Sequence, residues 1–298
     1  DPPRARPMDP DGDRLVTAAE RELRHAVGRM RGMDPELGPD ADGDGLAVTT
    51  TGSDLPTLVL DAGTGIRSVS DLCAGAAFRG TVLLTHLHWD HTQGLPFFTA
   101  ADRDDAEVRV LVPTPDTEDA RALVRRAMSP PHFPIGPEKL RGRWSFEAIT
   151  PGGHRLESLE VQAEEVAHKG GTTLGYRISD RLGSMAYLPD HVAAAQPRRD
   201  AAIDLVRGVD VLVHDAQFLH HEAQRAHEYG HSTVDEAVEL AVEAGVGELV
   251  LFHHSPTRHD DEVHDALAHA RTIAKGEPLT VSLAVEGREI EPGAHSTR

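Results

Sequence analysis

Residues 81–91 read TVLLTHLHWDH, so an apolar run leads directly into three histidines and one aspartate. The apolar half predicts a buried strand. Because alternate residues of an extended chain point to the same side, His86 and His88 are expected to face one way, and the following turn can aim Asp90 and His91 at a second position. Two groups of ligands predict two metal ions. Nitrogen and oxygen donors favour Zn²⁺, with Mn²⁺ or Fe²⁺ as alternatives.

A histidine-rich surface loop is the alternative interpretation, because 19 of the 298 residues are histidine. The predicted strand before the motif and the Gly/Pro-containing turn after it favour the metal site. The chain has one cysteine, Cys73, which rules out an internal disulfide and a thiolate zinc cluster. Histidine and aspartate side chains must therefore supply the ligands.

The formal net charge of −19 disfavours a long nucleic acid, which such a surface would repel, and is compatible with a small anionic substrate attracted by a divalent cation. No apolar stretch approaches the ~20 residues needed to cross a bilayer, so no membrane partner is expected. The first 45 residues lack the apolar segment of a signal peptide. We therefore expect a cytoplasmic protein.

The chain divides into two parts by composition. Residues 1–45 form a polar, Pro-rich amino-terminal extension, in which an apolar face from Leu15 to Met30 predicts a short amphipathic helix. Residues 46–298 are long enough for one catalytic domain and contain no internal repeat.

In this second part, β-rich apolar runs alternate with helical patterns, which predicts an α/β fold of sheets sandwiched by helices. Thr233 and Glu236 form the spacing of a helix capping box, and Gly245 is a stop signal. The predicted strands are 57–61, 81–85, 107–112, 159–167, 173–178, 184–188, 210–214, 248–252 and 279–284. The predicted helices are 115–128, 199–207, 233–244 and 260–274.

A two-metal centre needs more donors than one loop provides. Three further candidates stand where predicted strands end: His168, Asp190 and His253. An isolated histidine or aspartate is more often solvated or hydrogen-bonded locally. The order of these three residues and their position at strand ends favour a shared metal site.

Together with LVLDAGTG at 58–65, these motifs resemble the metallo-β-lactamase fold superfamily of dinuclear hydrolases over residues 55–285. The resemblance implies a four-layer αββα sandwich of two mixed sheets flanked by helices. It implies that Asp190 bridges both metals and that Asp61 orients ligands from behind the histidine loop. By the same resemblance, the first metal would be held by His86, His88 and His168, and the second by Asp90, His91 and His253.

The neighbouring His254 leaves the last ligand ambiguous. Residues 252–255, FHHS, are similar to the Thr-His-Phe-Ser element of the ribonuclease Z branch, which favours His253 over His254.

Within the superfamily, the chain is most similar to the phosphodiesterase branch that includes ribonuclease Z and a cyclic-phosphate phosphodiesterase. Residues 230–233, GHST, resemble an element whose histidine assists the leaving group, which assigns this role to His231; polarity at a helix start is the alternative. His214 and Asp215 resemble a further element that could hold His231. Residues 128–135 resemble a lid-like loop, which makes His132 and Phe133 candidate substrate contacts, although the prolines there could form only a rigid connection.

Two features depart from this branch. The strand and Gly-rich turn that usually open it are not recognisable in residues 1–50, so we expect one sheet edge to be incomplete. A long Gly/Pro- and Lys-rich arm, as tRNA-processing members use, is not recognisable either.

The resemblance implies a phosphodiesterase that acts on a small or cyclic phosphodiester through a hydroxide between two metals, with Asp190, Asp90 and His231 as catalytic residues. A lactone or thioester hydrolase on the same centre, ribonuclease Z-like RNA processing, and a sensor that has lost its chemistry are the alternatives. A homodimer is a further expectation.

Overall fold

The computed structural model describes residues 45–49, 55–115, 118–285, 288–290 and 292. Of the predicted amino-terminal extension, only Gly45 falls in these ranges, so the predicted helix near residues 15–30 lies outside them. The division into an extension and a catalytic domain stays a prediction.

Two mixed sheets form the centre of the fold. The first contains five strands in the spatial order β1 to β5, with β1 antiparallel to β2 and the others parallel. Its strands are β1 Leu46–Thr49, β2 Pro56–Leu60, β3 Arg79–Leu83, β4 Glu107–Pro113 and β5 Arg143–Ile149.

The second sheet contains seven strands in the order β12-β11-β10-β9-β8-β7-β6. Strands β6 to β9 are antiparallel to their neighbours, and β9 to β12 are parallel. Its strands are β6 Gly152–Leu156, β7 Leu159–Glu165, β8 Leu174–Ser179, β9 Ser184–Leu188, β10 Val211–Asp215, β11 Glu248–Phe252 and β12 Thr280–Leu283.

Six α-helices lie in the described ranges: α1 Ile66–Leu72, α2 Ala120–Ala127, α3 Arg198–Val206, α4 Ala223–Tyr229, α5 Val234–Ala244 and α6 Asp260–Ile273. Helix α5 begins with the predicted capping box, since Thr233 Oγ1 accepts from the Glu236 N–H and Glu236 Oε2 accepts from the Thr233 N–H. It ends at Gly245, whose φ of 67° is left-handed. Within the described ranges every helix is too short or too polar to cross a membrane.

Alternation along the strands sorts the apolar side chains into three cores. Leu58 and Leu60 of β2 point into the core between the two sheets, whereas Val59 points outward to α1. Leu212 of β10 likewise packs outward, in the core formed with α3, α5 and α6. Each such buried side chain contributes roughly 1.5–3 kcal/mol. The layers are therefore helix, sheet, sheet, helix, and the predicted αββα sandwich is confirmed.

Five elements were missed. Strand β1, which pairs with β2 from Leu46 to Thr49, was not recognised. The expectation of an incomplete sheet edge stays a prediction, because most of residues 1–50 lie outside the described ranges. Strands β5 and β6 were missed because β5 is mostly half-exposed and β6 begins with two glycines. Helices α1 and α4 have seven residues each, too few to establish a helical period.

Candidate metal centre

The carboxyl ends of the parallel strands meet at one edge of the sandwich. Aspartate and histidine residues directly follow several of these strands. Asp61 follows β2, Asp190 closely follows β9, and His253 follows β11. The histidine loop follows β3 through Leu84 and Thr85. In α/β sheets, ligands bind outside the carboxyl ends of parallel strands. The topology thus brings residues from distant parts of the chain to one site.

Three imidazoles and one carboxylate form the first group of candidate ligands: His86, His88, His168 and Asp190. His88 Nδ1 lies 2.9 Å from His86 Nε2 and 3.2 Å from His168 Nε2. Asp190 Oδ2 lies 3.3 Å from His168 Nε2 and 3.6 Å from His86 Nε2. Ligand atoms at zinc distances in a tetrahedron stand about 3.3 Å apart, so the spacing of this group fits one such ion.

A second group contains Asp90, His91 and His253. His91 Nε2 lies 3.5 Å from Asp90 Oδ2. Burial would raise the pKa of Asp90, but the hydrogen bond and charge of His91, together with the charge of His253, outweigh it and lower the pKa to about 2. Asp90 is therefore an anionic oxygen donor at neutral pH, which suits a divalent cation.

Asp190 faces both groups. Its Oδ1 lies 3.2 Å from His91 Nε2 and 3.6 Å from His253 Nε2, on the side of the second group. Its Oδ2 faces the first group, and the residue is 1% exposed. A buried carboxylate with one oxygen toward each set of nitrogens has the geometry of a bridging ligand. The donor set therefore fits two divalent metal ions.

Hydrogen bonds on the far side of the rings fix which nitrogen faces the centre. His91 Nδ1 donates to Asp61 Oδ2 at 2.9 Å, and His168 Nδ1 donates to the Gly230 carbonyl at 2.6 Å. Nε2 of each ring therefore points toward Asp190 and the other candidate ligands. Burial lowers the pKa of His86 and His168, which keeps these rings neutral and able to bind metal.

Asp61 lies behind the histidine loop, as the resemblance implies. Its carboxylate is fully buried and accepts hydrogen bonds from the Thr85 N–H at 2.7 Å and from Thr85 Oγ1. The φ of Asp61 is 58°, a left-handed conformation that aspartate tolerates better than most residues. Asp61 thereby anchors both the start of the loop and the ring of His91.

The structure separates His253 from His254. His253 contributes a ring nitrogen to the second group and has a left-handed φ of 55°. His254 is 4% exposed, and no described residue hydrogen-bonds its Nε2. Burial lowers the pKa of His254 to about 4. The geometry therefore favours His253 as the ligand.

His231 lies beside the centre, between α4 and α5. One of its ring nitrogens is within 4.8 Å of ligand atoms of Asp190 and His253. Its Nδ1 is 2.7 Å from Asp215 Oδ2. Burial alone would lower the pKa of His231, but the charge and hydrogen bond of Asp215 outweigh it and raise the pKa above its ordinary value. Asp215 thus favours the protonated form of the His231 ring, while Thr233 serves as the helix cap.

His214 does not contact His231. Its Nδ1 donates to the Asp215 carbonyl, and its Nε2 lies 2.9 Å from His191 Nδ1. Sequence reasoning missed His191, which is fully buried behind the centre and donates its backbone N–H to Asp215. Its position next to Asp190 was the available signal. Of the two residues predicted to hold His231, Asp215 contacts it directly, and His214 braces His191 instead.

Three cavities adjoin the centre, and one of them, of about 490 Å³, is lined by His168, Lys169 and Gly230. His132 and Phe133 line an apolar cavity of about 200 Å³ together with Trp89. A more polar cleft of about 340 Å³ is lined by His86 and His88, and also by Leu87, Pro113, Thr114, Pro115, Glu118, Leu123, Arg126, Ala127, Lys169, Gly170, Gly171, Thr172 and Thr173. The predicted lid residues are therefore not in the candidate metal groups, and sequence reasoning missed Trp89, Arg126 and Lys169.

The chain is similar to several known proteins. The family model described as "Beta-lactamase superfamily domain" matches residues 57–254. A ribonuclease Z of Bradyrhizobium sp. is 30% identical over 277 residues, covering 78% of this chain and 90% of that protein. A ribonuclease Z of Synechococcus sp. is 28% identical over 240 residues, covering 64% and 74%.

Among solved structures, the metallo-β-lactamase fold protein YhfI from Bacillus subtilis superposes with a TM-score of 0.63 at 20% identity. The match covers 89% of this chain and 98% of that one. It is a likeness of fold.

Proposed function

Because the chain belongs to the β-lactamase superfamily and is homologous to the ribonuclease Z proteins, we propose that it hydrolyses small or cyclic phosphodiesters at a centre of two divalent metal ions. The general activity, metal-dependent hydrolysis of a phosphodiester, follows from that homology. The number of metals, their identity as zinc and the small substrate are the proposal.

The position of Asp190 is the observation that carries the proposal. Oδ2 lies within 3.6 Å of the His86 and His168 nitrogens, and Oδ1 lies within 3.6 Å of the His91 and His253 nitrogens. A site for one metal ion does not need the two oxygens of one carboxylate to face separate groups of nitrogens. When bound, two divalent ions about 3.5–4 Å apart would lower the pKa of a shared water and neutralise phosphoryl oxygens.

The chain's own residues supply the remaining chemistry. Hydrolysis forms one P–O bond from water and breaks the P–O bond to the leaving group, which departs with the electron pair. His231 donates a proton to that oxygen, and Asp215 holds the ring through Nδ1 so that Nε2 is the donating atom. Asp190 and Asp90 hold the centre together and accept or orient the proton of the attacking water.

Local charge favours an anionic substrate despite the net charge of −19. Arg126 and Lys169 line the polar cleft that contains His86 and His88, where Glu118 is the single acidic residue among the described lining residues. A phosphodiester bound there meets two cations before it reaches the metals. A homodimer and a cytoplasmic location stay predictions.

Side-by-side assays test the proposal with metal-loaded protein. We expect turnover of bis(p-nitrophenyl) phosphate and of a 2′,3′-cyclic nucleotide, and little turnover of a simple lactone or thioester. Loss of the metals by chelation should abolish the activity, and adding Zn²⁺ or Mn²⁺ back should restore it. Turnover of the lactone alone would overturn the proposal and favour the acyl-ester alternative.

RNA processing is a second candidate, favoured by the 30% identity to the Bradyrhizobium ribonuclease Z. The same protein should be assayed on a tRNA precursor with a 3′ extension. Cleavage of the precursor with a kcat/KM far above that of small diesters would favour RNA as the substrate. We expect the reverse order, because acidic surfaces repel polyanions.

A further inference from the structure

The apolar cavity beside the metal centre has no role in the hydrolysis described so far. Leu87 and Trp89 form one wall, and they alternate along the loop with the candidate ligands His86, His88 and Asp90. The facing wall comes from α2 and the loop after it. It includes Met128, His132 and Phe133.

Aromatic rings stand exposed at this cavity. Trp89 is 64% exposed and Phe97 is 53% exposed, two of the five large hydrophobic side chains that are exposed in the described ranges. The Phe97 ring also meets Phe133 edge to face, with centroids 5.9 Å apart and planes at 90°. Apolar patches beside polar groups are characteristic of ligand sites.

The cavity adjoins the polar cleft that contains His86 and His88. Leu87, Leu123 and Ala127 line both of them. A phosphoryl group among Arg126, Lys169 and the candidate ligands therefore has a substituent within reach of the aromatic rings.

We propose that the cavity binds the ester group that stays on phosphorus, and that this group carries one planar aromatic ring, such as a nucleobase. The proposal rests on the phosphodiesterase function proposed above. The volume of about 200 Å³ is below the ~300–1,000 Å³ of sites for larger ligands, so it fits one ring system rather than an oligomer.

The position of His231 decides which ester group enters the cavity. The His231 ring packs against His168, His253 and Phe218, none of which lines the cavity. The leaving group must lie at His231 to receive its proton. The retained group is therefore the one directed toward Trp89 and Phe97.

Two diesters with the same leaving group test this assignment: thymidine 5′-(p-nitrophenyl phosphate) and methyl p-nitrophenyl phosphate. We expect the metal-loaded protein to prefer the thymidine ester in kcat/KM. Stacking on an aromatic side chain contributes about 1–3 kcal/mol per base, so this preference should fall about tenfold in Trp89→Ala and in Phe97→Ala. The control Ile273→Ala removes an exposed side chain of α6 and should leave the preference unchanged.

Equal losses on both diesters, or no preference in the unmodified protein, would overturn the assignment while leaving the phosphodiesterase function intact. Failure to hydrolyse either diester would instead refute the proposed function. Binding then tests the cavity separately, because Trp89 and Trp144 are the two tryptophans of the chain.

In Trp144→Phe, thymidine 5′-monophosphate should quench the remaining fluorescence of Trp89, and methyl phosphate should not. Equal effects of the two ligands would overturn the cavity proposal. A dimer that dissociates on Trp89→Ala, with the substrate preference unchanged, would also overturn it and assign the aromatic patch to a second copy of the chain.

Discussion

The carboxylate of Asp215 is fully buried at the end of β10 and accepts hydrogen bonds on both oxygens. Oδ1 accepts from the Gln217 N–H at 3.0 Å, and Oδ2 accepts from the His191 N–H and from His231 Nδ1. These contacts make Asp215 a positioning residue that acts through His231.

Replacing Asp215 with Asn tests this role. We expect kcat on bis(p-nitrophenyl) phosphate to fall about 100-fold, the lower end of the ~10²–10⁴-fold effect of general acids, because the ring loses its orienting charge. KM and metal content should stay within about twofold, because Asp215 contacts neither the substrate nor the metals. Asp210→Asn is the matched control, since Asp210 also accepts a backbone N–H from a neighbouring strand. An unchanged kcat, or loss of metal, would contradict the assignment.

His253 and His254 offer a sharper test of the ligand set. His253→Ala should lower the bound metal by about one ion per chain, because its Nε2 is among the second group of donors. His254→Gln should keep both ions, since its ring lies outside the candidate groups in the described ranges. Elemental analysis of the two purified variants measures the difference. Loss of a metal ion from His254→Gln but not from His253→Ala would show that His254 is the ligand instead.

At the scale of single residues, sequence reasoning was most informative where strand ends are marked by apolar runs. His86, His168, Asp190 and His253 were identified in this way, and the structure brings them together. Trp89 was missed because nothing in the sequence distinguishes a ring at a cavity wall from ordinary packing. His191 was missed although it stands next to Asp190.

At the scale of elements, the loop between β7 and β8 shapes the first metal group. A Cβ on Gly170 would stand 2.5 Å from His88 Nε2, whereas a Cβ on Gly171 would meet nothing within 4 Å. Both glycines have positive φ values, 90° and 145°. The two positions therefore share backbone strain but differ in the clash with His88.

Substituting Gly170 and Gly171 one at a time separates the clash with His88 from the backbone strain. Gly170→Ala should weaken metal binding at the first group by about 10–100-fold, as expected when a ligand ring is displaced. Gly171→Ala should leave metal affinity nearly unchanged, although both variants should lose some stability. Competition with a chromogenic chelator measures the affinities, and thermal unfolding measures stability. Equal metal affinities in the two variants would show that the loop does not support His88.

The predicted helices were accurate where a cap or an amphipathic period marked them, as at Thr233 of α5. The short helices α1 and α4 have no such signal. Strand β5 contains alternating residues that are only partly buried, so its pattern does not stand out from that of a loop. Edge and connecting elements depend on tertiary contacts that a local pattern does not contain.

At the scale of the whole molecule, the candidate ligands come from separate segments of both sheets, so bound metal should link the two halves of the sandwich. Removal of metal should lower the midpoint of thermal unfolding, because ligands that bind the native state stabilise it by about 2.7 kcal/mol at 100 times Kd. That corresponds to roughly 5–10 °C for a domain of this size.

Far-UV circular dichroism of the chelated protein should remain close to that of the loaded protein at 20 °C. The core between the sheets is built from apolar residues that are not metal ligands, such as Leu58, Tyr176 and Val213. These residues should hold the fold together without metal. An unchanged unfolding midpoint after chelation would contradict the structural role of the metals.

The layered architecture could be predicted because a chain of alternating strand and helix patterns has few ways to bury its apolar faces. The two-sheet division could not be derived from periodicity alone and came from the family resemblance. The amino-terminal extension lies almost wholly outside the described residues, so its prediction stays untested.

The central claim is that Asp190 joins two metal ions in one centre. Anomalous diffraction at the zinc absorption edge, from crystals of the zinc-loaded protein, tests it most directly. We predict two peaks about 3.5–4 Å apart, one beside His86, His88 and His168 and the other beside Asp90, His91 and His253, with Asp190 between them. A single peak, or two peaks that do not share Asp190, would contradict the account.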